Sequence, residues 1–265
     1  MKAFSRFSLL LLVLVTASCK FNDPNQLPDT ETQHASETKT ETTLPDLAPS
    51  LAAQLKEKKD AFMAKAPQEK IDSYEAGLQA IRDAGVPEMA INTTDTAPDF
   101  TLSNALGESV SLKEQLANGP VVLTWYRGGW CPYCNITLHY LQEQLPKFKM
   151  AGATLIALTP EVPDSSLSTA EKHSLEFEVL SDVGNKVARE YGIVFDLTPD
   201  VAQAYQKSFD LEAFNGDDSY QLPLAATYII DTNGIVRYAF IDADYRNRAE
   251  PMELLKVLSL LKEGI

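Results

Sequence analysis

The sequence contains few cysteines, few histidines and no excess of positive charge. Only three cysteines and three histidines occur in 265 residues, and the formal net charge is −14. This acidity argues against nucleic acid as a partner, because phosphate binding needs a basic surface. It is typical instead of a soluble, self-repelling surface. No internal repeat, phosphate-binding loop or metal motif occurs in the sequence either, so we expect neither a cofactor nor a resident metal.

The chain also has no apolar run that would cross a bilayer as a helix of the mature protein. Residues 7–15 are apolar but too short for a span, and they follow a positively charged start. Small residues then precede Cys19, which predicts a signal peptide over residues 1–18. The stretch resembles the lipobox of bacterial lipoproteins, which implies lipidation of Cys19 and an outer-membrane protein facing the periplasm. The alternative is ordinary cleavage to a soluble periplasmic or secreted protein.

Beyond the signal, composition divides the chain into three segments. Residues 19–50 are polar and acidic with few large apolar side chains, which predicts a disordered tether. Residues 51–94 are expected to form an N-terminal helical extension of two helices, and residues 95–265 the main domain. Spacings of three and four residues in the second helix connect Ile71, Tyr74, Leu78 and Ile81.

In the main domain, stretches typical of strands alternate with stretches typical of helices. Apolar runs predict strands at 120–126, 154–158 and 177–180, and an Asn-Gly pair predicts a two-residue turn within a hairpin over 227–241. Helices are predicted over 135–150, 181–192 and 251–262. This order predicts an α/β fold with a mixed sheet covered by helices on both faces.

Two of the cysteines lie in the stretch "RGGWCPYC", residues 127–134. Cys131 follows a buried strand and should begin a helix, where free amide groups and the helix dipole stabilise a thiolate. Cys134 follows one turn later on the same face, close enough for a disulfide. Arg127 can add a positive charge beside the thiolate. We therefore expect Cys131 to be the more exposed, ionised and attacking sulfur.

Other residues of the stretch are expected to support these two sulfurs. Pro132 fits an early helical position, and Trp130 and Tyr133 can cover the site with apolar surface. Gly129, together with Gly128, would let the backbone come close to a substrate.

A redox pair is not the only interpretation of the two cysteines. A structural zinc site needs four ligands, and the available histidines do not complete one; these are His34, His139 and His173. Two inert buried thiols would have no reason to lie at a strand-to-helix turn. The pattern therefore favours a dithiol that cycles with a disulfide.

Four stretches together resemble the peroxiredoxin-like branch of the alkyl hydroperoxide reductase/thiol-specific antioxidant (AhpC/TSA) family. They are "APDFTL" at 97–102, "VVLTWYRGGWCPYC" at 121–134, "FEVLSD" at 177–182 and "ATYIIDTNGIVRYAFID" at 226–242. The resemblance implies a thioredoxin-like fold over residues 95–263. It also implies an antioxidant oxidoreductase that reduces peroxides with electrons from a thioredoxin-like donor.

The match to the family's peroxide site is incomplete, so two registers remain open. The peroxiredoxin register makes Cys134 the reactive cysteine but puts Arg127, Cys131 and Ala225 where the family carries proline, threonine and arginine. The thioredoxin register makes Cys131 the nucleophile and Cys134 the resolving thiol. We favour the thioredoxin register for the two sulfurs and expect the protein to be a thiol-dependent peroxidase. The alternative is a thioredoxin-type oxidoreductase acting on disulfides of envelope proteins, and a binding module with the same fold is a third class.

Overall fold

The computed structural model describes residues 49–104 and 106–264. The predicted signal peptide, nearly all of the predicted tether and the predicted lipidation site at Cys19 lie outside these residues. Within the described ranges, no helix is both long enough and apolar enough to cross a membrane.

The described residues form nine strands and ten helices. The strands are β1 (Thr101–Ser103), β2 (Ser109–Ser111), β3 (Val121–Trp125), β4 (Thr154–Thr159), β5 (Glu178–Ser181), β6 (Val194–Asp196), β7 (Gln221–Pro223), β8 (Thr227–Ile230) and β9 (Val236–Phe240). The helices are α1 (Leu51–Met63), α2 (Gln68–Asp83), α3 (Val86–Met89), α4 (Leu112–Leu116), α5 (Pro132–Met150), α6 (Pro163–Lys172), α7 (Lys186–Glu190), α8 (Pro199–Phe209), α9 (Leu211–Asn215) and α10 (Pro251–Lys262).

A five-stranded mixed sheet in the order β5-β4-β3-β8-β9 is the centre of the fold. Strand β3 runs parallel to β4 and antiparallel to β8. Every residue of β3 is buried, which agrees with its predicted central position. Its side chains alternate between two apolar clusters, with Leu123 and Trp125 in one and Val122 in the other. The predicted mixed sheet flanked by helices is therefore confirmed, and its central strand leads directly into the cysteine stretch.

The two long helices predicted before the sheet are present and pack against helices of the main domain. The Ser50 hydroxyl accepts the Ala53 N–H and so caps α1, which buries Leu51 and Leu55. Helix α1 contacts α5, and α2 contacts α8. The buried side chains of α2 are Ile71, Leu78 and Ile81.

Helix α5 begins three residues earlier than predicted. Its first residue is Pro132, because the Cys131 sulfur accepts the Cys134 N–H and serves as the N-cap. Pro146 lies within the helix, and α5 continues to Met150, as predicted. The early start places both cysteines in the first turn.

Two other elements differ from the predicted boundaries. The helix expected over 181–192 is shorter in the structure, where only α7 is helical. Asp182 lies before α7, and its carboxylate accepts the Val187 and Ala188 N–H groups. The turn between β8 and β9 spans residues 231–235 instead of two residues. There the Asp231 carboxylate accepts two amide N–H groups of the turn, which stabilises the longer connection.

Candidate active site

The predicted cysteine pair lies where β3 ends and α5 begins. The Cys131 and Cys134 sulfurs are 2.7 Å apart and unlinked. The Cys134 N–H donates to the Cys131 sulfur at 3.4 Å. Among the described residues, no third cysteine, histidine or carboxylate joins the pair in a cluster of metal ligands. The two thiols therefore face each other, with one in the helix N-cap and the other one turn further on.

Both cysteines are buried, including Cys131, which we expected to be the more exposed of the two. Cys131 is 1% exposed and Cys134 is 0% exposed. The first turn of α5 belongs to an apolar cluster that also contains Tyr126 and Tyr133. A reactant must therefore reach the sulfurs through a cavity.

The sequence-based prediction missed a cation next to Cys134. Arg248 lies in the segment before α10, is 8% exposed, and donates from Nη2 to the Cys134 sulfur at 3.4 Å. Its Nη1 donates to the Tyr245 and Asn247 carbonyl oxygens, which fixes the guanidinium in place. A buried guanidinium held in this way stabilises negative charge on the sulfur that it contacts.

The two thiols have opposite pKa shifts, in the reverse order to our expectation. Burial raises the pKa of Cys134, but the hydrogen bond with Cys131 and the charges of Arg248 and Arg127 outweigh burial and lower it. Burial and the neighbouring Cys134 raise the pKa of Cys131. We expected the thiolate at Cys131. The structure favours it at Cys134, because the contact with Arg248 is direct.

Arg127 lies in a buried ring of aromatic side chains. Its Nη2 donates to the Tyr205 hydroxyl at 2.8 Å. The guanidinium carbon is 4.0 Å from the Tyr245 ring centroid and 5.0 Å from that of Trp130. Such contacts hold the positive charge without neutralising it by a carboxylate. The expected cation beside the dithiol is therefore present at Arg127.

The two glycines of the stretch lie where a side chain would collide with a neighbouring residue. A Cβ at Gly128 would collide with the Trp130 indole, and a Cβ at Gly129 would collide with the Thr169 hydroxyl. We expected these glycines to let the backbone approach a substrate. The structure shows that they allow the loop to pack against its own neighbours.

A second residue missed from the sequence is Glu161, which follows β4. Its side chain is 0% exposed, and one carboxylate oxygen accepts the Gly129 N–H at 2.9 Å. Burial raises the pKa of Glu161 to about 7, although this hydrogen bond lowers it, and the Cys134 charge raises it further. The carboxyl group thus fixes the loop before Cys131 and titrates near neutral pH. Its place after a parallel strand adjacent to β3 is a sequence signal that could have identified it.

An aromatic cavity of about 250 Å³ reaches Cys131 and does not reach Cys134. One wall is the Trp130 indole, which stacks on Phe209 with ring centroids 4.4 Å apart. The predicted supporting residues Pro132 and Tyr133 also line it, together with Arg127. Cys131 is therefore the sulfur that a small reactant in this cavity would meet.

Comparisons with known proteins agree with this architecture. The model of the AhpC/TSA family matches residues 93–239. The chain is 32% identical to the chloroplastic peroxiredoxin Q of Sedum lineare, covering 63% of this chain and 77% of that protein. It is also 32% identical to the chloroplastic peroxiredoxin Q of Arabidopsis thaliana, covering 68% and 70%.

Solved structures show the same fold. The crystal structure of a peroxidoxin from Mycobacterium tuberculosis aligns with a TM-score of 0.51 at 21% identity, covering 64% of this chain and 97% of that one. The matched family region contains β3, the cysteine stretch and the start of α5. The chain therefore belongs to the AhpC/TSA family, and it is an oxidoreductase of the peroxiredoxin type.

Proposed function

We propose that this chain is a thiol peroxidase that reduces hydroperoxides by converting Cys131 and Cys134 into a disulfide. One observation carries this proposal: two facing thiols, each at most 1% exposed, have access through a small cavity on the Cys131 side. A hydroperoxide can enter such a cavity as it stands, whereas a folded protein with its own disulfide reaches the sulfurs only if the site opens. The family membership supports the same choice of substrate.

The first step would begin with transfer of the Cys131 proton to the Cys134 thiolate across the 2.7 Å contact. The Cys131 sulfur then attacks the outer oxygen of the hydroperoxide, and the O–O bond breaks. Cys131 becomes a sulfenic acid, and the departing alkoxide takes the proton from Cys134 to leave as an alcohol. Arg127, which lines the cavity, would stabilise the charge on the departing oxygen.

The second step would use Cys134, again a thiolate, as the nucleophile. It attacks the Cys131 sulfenic acid, the S–S bond forms, and the departing hydroxide takes a proton from solvent to become water. Overall, two electrons pass from the dithiol to the peroxide. The Arg248 contact would keep Cys134 ionised for this step.

The cycle would close when an external thiol donor reduces the disulfide, and we propose a thioredoxin-like protein for this role. Because the two sulfurs are buried, such a donor needs the first turn of α5 to open. The predicted attachment through Cys19 would place the reaction at the cell envelope. That location is a prediction from residues outside the described ranges.

Stopped-flow kinetics test this proposal directly. Reduced protein is mixed with hydrogen peroxide, and thiol loss and tryptophan fluorescence are followed. We expect second-order thiol loss much faster than that of free cysteine at the same pH. A rate equal to that of free cysteine would overturn the peroxidase proposal.

A second assay addresses the alternative function. A thioredoxin-type reductase would reduce the disulfides of insulin with dithiothreitol as donor. Because both sulfurs are buried in the reduced protein, we expect insulin reduction no faster than with dithiothreitol alone. Rapid insulin reduction together with slow peroxide consumption would favour the alternative instead.

A further inference from the structure

Part of the cavity wall comes from outside the region that matches the family. The family model begins at residue 93, whereas Phe62 of α1 and Lys70 and Tyr74 of α2 line the cavity in front of Cys131. We call these three residues the helical roof. They come from a segment for which the family comparison provides no function.

The roof is tied to the catalytic domain through aromatic contacts. Phe62 and Tyr74 stack with their ring centroids 5.9 Å apart and their planes within 4°. The Tyr74 ring meets the Tyr205 ring edge-on at 5.8 Å, and Tyr205 holds Arg127. The Lys70 ammonium lies 5.5 Å from the Tyr74 centroid on the outer side. The roof therefore has a defined position over the cavity.

The surface that the roof adds is apolar and aromatic. Hydrogen peroxide gains little binding free energy from such a surface, because it has no apolar part to bury. A compact organic hydroperoxide buries its hydrocarbon body there. The cavity of about 250 Å³ accommodates a body the size of a substituted benzene ring, since a water molecule occupies roughly 30 Å³.

We propose that the helical roof is a specificity element that selects compact apolar hydroperoxides over hydrogen peroxide and keeps bulky reactants from Cys131. This inference rests on the proposed peroxidase function and adds a substrate class to it. It also assigns a role to α1 and α2, as walls of the substrate site.

The kinetic experiment compares cumene hydroperoxide with hydrogen peroxide in Phe62→Ala and Tyr74→Ala variants of the full chain. Loss of one aromatic wall should lower kcat/KM for cumene hydroperoxide about tenfold, mainly through a higher KM, and should lower the hydrogen peroxide rate by a smaller factor. Tyr74→Phe, which keeps the ring, should restore the cumene hydroperoxide rate. The matched control is Met63→Ala, next to Phe62 but absent from the cavity wall. Equal losses for both peroxides in both roof variants would overturn the proposal.

A second measurement tests the roof without any peroxide. The reduced wild-type protein is alkylated with iodoacetamide and with N-(1-pyrenyl)maleimide, whose four fused rings exceed a substituted benzene, and the ratio of the two rates is compared with that of free cysteine. In the wild type, we expect alkylation by the bulky reagent to be slowed more than alkylation by iodoacetamide. In the Phe62→Ala and Tyr74→Ala variants, part of the lost rate of the bulky reagent should return. A rate ratio that is unchanged in both variants would overturn the proposed role of the helical roof. A changed ratio in a protein that does not consume peroxide would overturn only the proposed function.

Discussion

The two cysteines lie 2.7 Å apart but have different surroundings. Cys131 meets an aromatic cavity through which a reactant can enter. Cys134 lies behind it, in contact with the buried guanidinium of Arg248. Access and charge stabilisation are therefore separated between two sulfurs that lie within proton-transfer distance.

This separation shows how one dithiol can satisfy two opposing requirements. A thiolate exposed to solvent reacts with many oxidants, whereas a buried thiolate needs a cation to offset the cost of desolvation. Here the charge is held away from the cavity, on the sulfur that would act second. In the wild type, the sulfur at the cavity would become ionised when its proton moves to Cys134.

The largest expected effect comes from removing one sulfur at a time. Cys131→Ser should abolish peroxide consumption, because it removes the only one of the two sulfurs that lines the cavity. Cys134→Ser should oxidise once, more slowly than the wild type because Cys131 must lose its proton to water instead, and should then accumulate a sulfenic acid at Cys131, which dimedone labelling and mass spectrometry detect. The reverse pattern, with a trapped sulfenic acid at Cys134, would mean that the buried sulfur attacks.

A smaller effect is expected when only the charge next to Cys134 is removed. Arg248→Met should raise the pH midpoint of ultraviolet thiolate absorption by about one unit or more, since an opposite charge in contact lowers a pKa by about one to three units. Disulfide formation near pH 7, the step in which Cys134 is the nucleophile, should then slow by up to about tenfold. Oxidation of Cys131 itself should not slow, because a more basic Cys134 accepts the Cys131 proton more readily. Arg248→Lys should restore part of the disulfide-forming rate.

The matched control for this change is Arg237→Met. Arg237 forms an ion pair with Asp231 in the turn after β8 and has a partly exposed side chain. Its loss should leave the thiolate midpoint unchanged. If the pH midpoint of thiolate absorption were also unchanged in Arg248→Met, the Arg248 guanidinium would not be what stabilises the thiolate.

The third expected effect is on the stability of the folded protein and involves Glu161. Burial raises the pKa of Glu161 to about 7 in the folded state, from 4.5. Between these pH values the unfolded chain has already lost this proton while the folded protein keeps it, so stability falls as pH rises. The loss should be on the order of 3 kcal/mol and should level off above pH 7.

Denaturant unfolding at pH 4.5 and at pH 7 measures this change. Glu161→Gln keeps an oxygen that accepts the Gly129 N–H but cannot ionise. Its stability should therefore fall less between the two pH values than that of the wild type. An identical fall in both proteins would show that Glu161 does not titrate in this range.

Elements with a strong repeating pattern were predictable from the sequence. The apolar run of β3 and the helical spacing of α2 each gave the right element, and the closing helix matched its predicted bounds. Short elements were missed, among them β6, β7 and α9, because three to five residues do not establish a period.

The active site was predictable only where it is local in the sequence. The "RGGWCPYC" stretch gave the thiol pair and Arg127. Arg248 is separated from Cys134 by 114 residues, so only tertiary packing brings the two together. The order of the thiol pKa values was therefore predicted wrongly: the helix N-terminus was visible in the sequence, but the guanidinium and the burial of both sulfurs were not.

Mass spectrometry of the oxidised protein tests the central claim most directly. Reduced protein is treated with one equivalent of hydrogen peroxide, remaining thiols are blocked, and the peptide that contains both cysteines is analysed. We expect this peptide to lose the mass of two hydrogen atoms and to take up no blocking reagent, because Cys131 and Cys134 have formed a disulfide. A peptide that keeps both thiols, or gains oxygen without forming the bond, would contradict the account.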